Sequence, residues 1–315
     1  MSNGGIIGPV NDPIIQTNST VTAFTASGCF TARTGQPSVV VAVVAGGGGS
    51  AIAQGGNNGG GGAGGFRTCS SFPIPGASIP ITIGAGGGTN TQGTPSIFST
   101  ITATGGGRSA DRNGTNTGPL YNGGPGGSGG GGSQDYNCVV SQKGLGNSPP
   151  VSPPQGNDGG QQPSLPSYAG SGGGGAGGVG QSSQSGGPNF AQGGAGGIGS
   201  PVTSLFGPSQ PFYLPGPAAG YFAGGGGGSS HSFASPSARP AGGLGGGGCG
   251  ASPAGGASNG TANSGGGSGG TGENRPGGGT GGSGIVIVQQ PAFAKASGVW
   301  SLQCQYNFKK NNQWT

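Results

Sequence analysis

The stretch "VVVAVVAGGGG", residues 39–49, decides how the rest of the chain is read. All of its first seven residues are valine or the small apolar alanine, five of them β-branched, which marks a buried strand. It then runs straight into four glycines, the residue that weakens a strand and loses the most backbone freedom on folding. A flexible linker would not begin at the end of a core strand, so the glycines are expected to be a second kind of ordered structure.

The composition bears on that expectation. Of 315 residues, 87 are Gly and 26 are Pro, a bias that by itself points to low complexity. Disordered chains, however, are usually rich in charge, and only 5% of this one is Asp, Glu, Lys or Arg. Compact apolar segments such as "IPITIGAG" and "GIVIVQQP" also interrupt the glycine. The net charge of +5 comes from singly scattered residues. Binding to nucleic acid requires a basic stripe or an Arg-Gly-Gly repeat, and Arg67, Arg108, Arg112, Arg239 and Arg275 form neither. The five cysteines, Cys29, Cys69, Cys138, Cys249 and Cys304, show no C-x-x-C spacing and accompany a single histidine. No metal site and no cofactor is expected, and the cysteines read as small buried thiols of a reducing compartment. The start lacks a charged and apolar leader, and no run of about 18 apolar residues is present for membrane insertion.

Four zones follow from the pattern. Residues 1–18 form an extended arm carrying Ile6, Ile7, Pro9, Ile14 and Ile15. Residues 19–104 hold the clearest strands, "STVTAFTASG", "CFTAR", "PSVVVAVVAG", "FRTCSSFPI", "ASIPITIGAG" and "SIFSTITATG", several alternating with period two and bounded by turn residues. Residues 105–283 are a glycine-rich body, and 284–315 supply the closing strand "GIVIVQQP" and a tail with Trp300 and Trp314. The expected fold class is all-β, with an antiparallel β-sandwich-like module, an inserted glycine-rich body of polyglycine II-type helices and long loops, and no α-helical domain.

Polyglycine answers the question raised by residues 39–49. It adopts an extended helix of three residues per turn, about 3.1 Å per residue, with no internal hydrogen bonds. Its amides point outward on all sides, and where side chains are absent neighbouring helices can approach and bond to them. The strand at 39–45 would then lead the chain into such a bundle and the strand at 284–288 would bring it out. The other reading is that the tracts are flexible tethers.

The chemical inventory is thin. His231 in "GGSSHSFAS" reads as a surface loop residue, and Asp12, Asp111, Asp135, Asp158 and Glu273 stand far apart in the sequence. No Walker loop occurs, and the many G-x-G-x-x-G matches lack the acidic residue of a dinucleotide site. The chain reads as non-enzymatic. Its one concentrated feature is "SLFGPSQPFYLPGPAAGYFAGGGGG", residues 204–228, where Phe206, Phe212, Tyr213, Tyr221 and Phe222 sit among Pro and Gly. Such aromatics either meet a sugar or protein receptor or form a small core that caps the bundle.

The segments "TVTAFTASGCFTARTGQPSVVVAVVAGGGGS", "IPITIGAGG", "SIFSTITATGGG" and "GGSGIVIVQQP" together resemble the glycine-rich domain of bacteriophage tail-fibre and virion proteins, over roughly residues 20–291. The tail "ASGVWSLQCQYNFKKNNQW" is similar to the endings of marine and cyanobacterial phage structural proteins; Gln289-Gln290 depart from the Arg-Tyr usual after the closing strand. The resemblance implies a virion component assembled in a host cytoplasm, a homotrimer, bound to other virion proteins through its N-terminal arm. Ile6, Ile7, Pro9, Ile14, Ile15, Trp300 and Trp314 are the anchoring candidates, and the five aromatics of 204–228 the candidates for a host-surface polysaccharide. A capsid or tail decoration without receptor binding is the alternative, and an ice-binding or cell-wall protein a further one.

Overall fold

The computed structural model describes residues 14–16, 18–52, 56–76, 78–111, 121–133, 141–163, 168–184, 191–231, 239–272, 279–295, 306 and 309–310. In chain order the strands are β1 (Ile14–Gln16), β2 (Thr20–Phe24), β3 (Gly28–Thr31), β4 (Ser38–Val44), β5 (Phe66–Pro73), β6 (Ser78–Thr82), β7 (Ser96–Phe98) and β8 (Ile101–Ala103). They continue with β9 (Ser200–Pro201), a single helical turn α1 (Thr203–Phe206), β10 (Tyr221–Phe222), β11 (Ile285–Gln290) and β12 (Phe293–Lys295). The fold is all-β, with antiparallel sheets and no helical domain.

Two four-stranded sheets, ordered β2-β11-β4-β5 and β3-β6-β7-β8, face each other. Between them lie Val39, Val41, Val43, Phe72, Val286 and Val288 from the first sheet and Phe30, Ile79, Ile81 and Phe98 from the second. Phe98 is the hub, its ring 5.3 Å from that of Phe72 and 6.1 Å from that of Phe30. The first sheet is buried on its other face too. Ala42, Val44, Ile285 and Ile287 point away from the sandwich and pack against Val202, Phe206 and Phe222. Burial on both faces is why β4 and β11 read as unbroken apolar runs rather than alternating ones. The segment "SIFSTITATG", expected as one strand, is a hairpin of β7 and β8 that turns at Ser99 (φ 53°).

β4 and β11 are antiparallel neighbours, with Val44 opposite Ile285, so the chain enters and leaves the glycine region side by side. Beyond them the tracts are neither α-helix nor sheet. Their amides follow a rule of three: Ala45 and Gly48 donate to Gly65 and Gly62, Gly46 and Gly49 to Thr94 and Thr91, Gly47 and Ser50 to Gly282 and Gly279. Each third residue returns to the same neighbour, three residues further on, which is the period of the polyglycine helix. Tract 57–65 is fully surrounded. It donates to tracts 265–271, 171–174 and 104–107, and it accepts from 45–48, 128–131 and 226–229. Tract 223–231 does the same, its amides at 224, 227 and 230 going to 245, 248 and 251, and those at 225, 228 and 231 to 197, 194 and 191.

Only glycine permits this spacing. A Cβ on Gly47, Gly48, Gly60, Gly61 or Gly173 would lie under 3.0 Å from a carbonyl oxygen of the adjoining tract. The bundle therefore has a core whose contacts are peptide groups, bonded from tract to tract as a buried backbone requires.

Partner numbers that rise or fall by three give the direction of every tract. Chain passes away from the sheets in 45–50, 104–110, 128–133, 155–162, 178–184, 223–231, 247–251 and 265–272, and returns in 57–65, 121–126, 141–145, 168–175, 191–199, 239–243, 256–261 and 279–284. The tracts at 45–50, 57–65 and 84–94 thus belong to the bundle although they lie within the zone that contains the sheet strands. At the opposite side of the sandwich β1 pairs with β12, Gln16 opposite Phe293, and prolongs the β2–β11 ladder. The molecule has two poles, with a β-ribbon at one and the distal end of the bundle at the other.

Candidate functional site

The aromatic loop does not stand at the distal pole. Residues 200–222 cross the outer face of the first sheet, held by β9 and β10, where Phe222 lies opposite Ser200. Phe206 and Phe222 are buried there at 3% and 0% exposure. Tyr213 meets Phe222 edge-on at 6.2 Å, and Phe212 meets Tyr213 edge-on at 5.2 Å. The Tyr213 hydroxyl donates to the Gly207 carbonyl (3.0 Å), and burial pushes its pKa up. The loop is thus the small core that covers Val44 and Ile287, and as receptor contacts Phe206 and Phe222 are corrected, since neither presents a surface. Phe212, Tyr213 and Tyr221 are half-buried. Tight turns bring them together: Gly207, Gly216 and Gly220 have φ of 91°, 71° and 75°.

At the distal end side chains return to the bundle, and they are polar. Asn58 Nδ2 donates to Thr271 Oγ1 (2.8 Å), whose own hydroxyl donates to the Ala51 carbonyl (2.7 Å). Ser229 Oγ donates to the Asn58 carbonyl (3.0 Å), Asn57 Nδ2 to that of Tyr168 (2.7 Å), and Ser171 Oγ to Gln162 Oε1 (3.0 Å). This buried polar layer takes over where the glycine lattice stops, and it satisfies the peptide groups that the tracts release as they diverge. His231 belongs to it. Expected on a surface loop, it is 4% exposed, its amide bonded to Ala191 and its ring 5.6 Å from Tyr168. The described tracts reach this end at residues 52, 111, 133, 163, 184, 231 and 272, and leave it from 56, 121, 141, 168, 191, 239 and 279.

Two acids sit near the ends of the tracts in opposite environments. Asp111, buried with Arg108, accepts from Asn90 Nδ2 (2.8 Å). Burial raises its pKa more than Asn90 and Arg108 lower it, and burial lowers that of Arg108. Asp158, at the sheet side, is more open. Burial pushes it up, but Lys143 at 2.9 Å and the Gly146 amide together hold it below the ordinary value. An open cleft of about 410 Å³ lies nearby, lined by Gln92, Pro95, Thr104, Pro125, Ser148 and Pro149, with no charged group in its wall.

Of the anchoring candidates, Ile14 and Ile15 lie in β1, opposite Lys295 and Ala294. Ile6, Ile7, Pro9, Trp300 and Trp314 fall outside the described residues. The cysteines correct another expectation: Cys29 is exposed, Cys69 and Cys249 are half-buried, and all three are free thiols. Among the described residues no group of three His, Cys, Asp or Glu could hold a metal ion, and no helix is long and apolar enough to cross a membrane.

Comparison with the curated proteins gave no match. The pattern of the glycine-rich domain family matches residues 22–291, from within β2 to just past β11, and the chain belongs to that family.

Proposed function

We propose that the protein is a non-enzymatic structural component of a phage-type virion, a fibre that carries a contact surface for the host cell, a polysaccharide being the expected receptor. The observation that supports this reading is the bipolar build. A ribbon leaves the sandwich at one pole, and a bundle cross-linked by its own peptide groups stands between that ribbon and the distal pole. Such a bundle transmits force and holds its far end at a fixed distance, which suits a spacer. The distal end is neutral and polar, and Tyr168, half-buried beside the sealed layer of Asn57, Gln162 and Thr271, is of the chemistry that stacks on sugar rings without needing charge. In this reading the ribbon side, with Ile14 and Ile15, is the anchor, and the distal end replaces the aromatic loop as the contact surface.

Incubating the purified protein with candidate host cells and with their isolated surface polysaccharide tests the proposal. Saturable binding that free polysaccharide competes away is expected. Absence of binding to every host, together with uniform labelling of the capsid by antibody, would replace the adhesive role with decoration.

A further inference from the structure

A bundle of tracts runs out of neighbours at its rim, and each rim tract is left with one row of outward amides at every third residue. Along much of the rim, side chains accept from them. Thr280 N–H donates to Asn259 Oδ1 (2.9 Å), Cys249 N–H to Ser258 Oγ (2.7 Å), and Asn263 N–H to Ser283 Oγ (2.9 Å). Further round, Gln142 N–H donates to Asn122 Oδ1 (2.8 Å) and Lys143 N–H to Gln161 Oε1 (3.2 Å).

One flank is built differently. Tracts 178–184, 191–199 and 239–244 lie side by side, joined by Gln181 N–H to Ala195 O and Gly196 N–H to Ala241 O, both 2.9 Å. On their outer side the amides of Val179, Ser182, Ala195, Ile198, Ala241 and Leu244, two per tract and three residues apart, have no acceptor among the described residues. Three of the six carry aliphatic side chains turned to solvent, Val179 63%, Ile198 40% and Leu244 38% exposed. The sequence sets each between glycines, "GVG", "GIG" and "GLG". They stand at one level, because Gly177 donates to Ile198 and Gly199 to Leu244. None of the six is charged.

We propose that this flank is the contact surface for a second copy of this chain. Its amides are uncapped where others are capped, so it has the character of an unfinished lattice edge, as an unpaired strand is to a sheet. The small side chains of Ser182, Ala195 and Ala241 let the partner's backbone come near, while the aliphatic row supplies apolar area to bury. A charged partner finds nothing here to pair with. One patch meeting itself is isologous and gives a two-fold pair, unlike the trimer that the resemblance implies. The flank lies along the side of the bundle, so pairing leaves the distal end open. The inference does not depend on the host-contact reading.

The experiment is the mass of the full-length protein in solution, by light scattering and sedimentation, from low micromolar to near-millimolar concentration. A two-chain species is expected, and Ile198→Lys and Ser182→Arg are each expected to weaken it about tenfold or more, as loss of a central anchor does. Ile52→Lys, at the distal end and already 47% exposed, is the control and is expected to leave the pair intact. Both flank positions are exposed, so the variants keep the unfolding midpoint of the parent. A single chain at every concentration, a three-chain species, or a pair indifferent to both flank variants would overturn the proposal; binding to host cells is a separate readout that none of these outcomes changes.

Discussion

Phe98 and Gly61 are buried to a similar depth in two halves of one molecule that cohere by opposite means. Around Phe98 the sheets keep their hydrogen bonds within each layer and join through side chains, with Phe30, Phe72 and Val286 filling the space between. Around Gly61 the side chains are gone and the hydrogen bonds themselves join one layer to the next, to Ser268 on one side and from Gly226 on another. A sandwich tolerates a change of shape by repacking. A lattice of peptide groups has no such slack, because its fixed spacing is set by the bonds.

The sharpest break of that comparison is Gly61→Ala. The added Cβ would lie under 3.0 Å from the Gly48 carbonyl oxygen, and parting the tracts severs bonds on several sides at once. A loss of about 5 kcal/mol or more is expected, at the exceptional end of single substitutions. Gly76→Ala, where nothing lies within 4 Å, is expected to change the denaturant midpoint little. Hydrogen exchange reads the same contrast: the amides of Gly61 and Gly226 should exchange as slowly as those of β4 and β11. Rapid exchange there would mean that the tracts are tethers.

Next comes Phe98→Ala, which removes the ring that touches both Phe30 and Phe72. About 3–5 kcal/mol is the expected cost in chemical unfolding, from lost burial and the cavity left behind. If the two halves form one cooperative unit, both substitutions shift a single transition; two separated transitions would show that the bundle stands without the sandwich.

Sequence patterning reached these two halves unequally. β2, β4, β5, β6 and β11 were legible because apolar and polar residues alternate or run together according to which faces are buried. The hairpin at Ser99 was not, since no Gly or Asn marks its turn. In the glycine tracts the period of three and the need for bare backbone follow from polymer geometry, but direction and neighbour do not. Glycine carries no pattern, and 57–65 could as well have been placed at the rim as at the centre. His231 was misplaced, and the two readings of the aromatics of 204–228 were left open, for a related reason. Their burial depends on where tracts 223–231 and 191–199 end, which only the assembled lattice decides.

A smaller effect of opposite sign is expected where a side chain intrudes on the lattice. Ser268 is fully buried, and its hydroxyl has no hydrogen-bond partner. Its backbone amide does the binding, to Gly48. Ser268→Ala keeps that bond and removes a desolvated hydroxyl, so the protein should be unchanged or stabilised by about 1 kcal/mol in thermal unfolding. A clear loss of stability would mean that the hydroxyl takes part in the bundle and that the lattice is not purely backbone.

The least effect belongs to an ion pair that pins a turn on the sheet side, Lys143 with Asp158. Asp158 is held below its ordinary value of 3.8, so its pairing adds stability above that pH, and the contribution is lost as pH falls through the lowered value. Both side chains are about a third exposed, 37% and 33%, and solvent screening keeps the contribution under about 1 kcal/mol. Lys143→Met should lower the melting temperature slightly at neutral pH and not at all in strong acid, where the parent has already lost the pair. Asp111 works against this trend. Its raised pKa means that acidification favours the folded form there, so Asp111→Asn should be neutral or mildly stabilising at neutral pH. The two carboxylates thus separate what charge does at the open side of the lattice from what it does within: paired and solvated it pins a turn, buried it strains the lattice that encloses it.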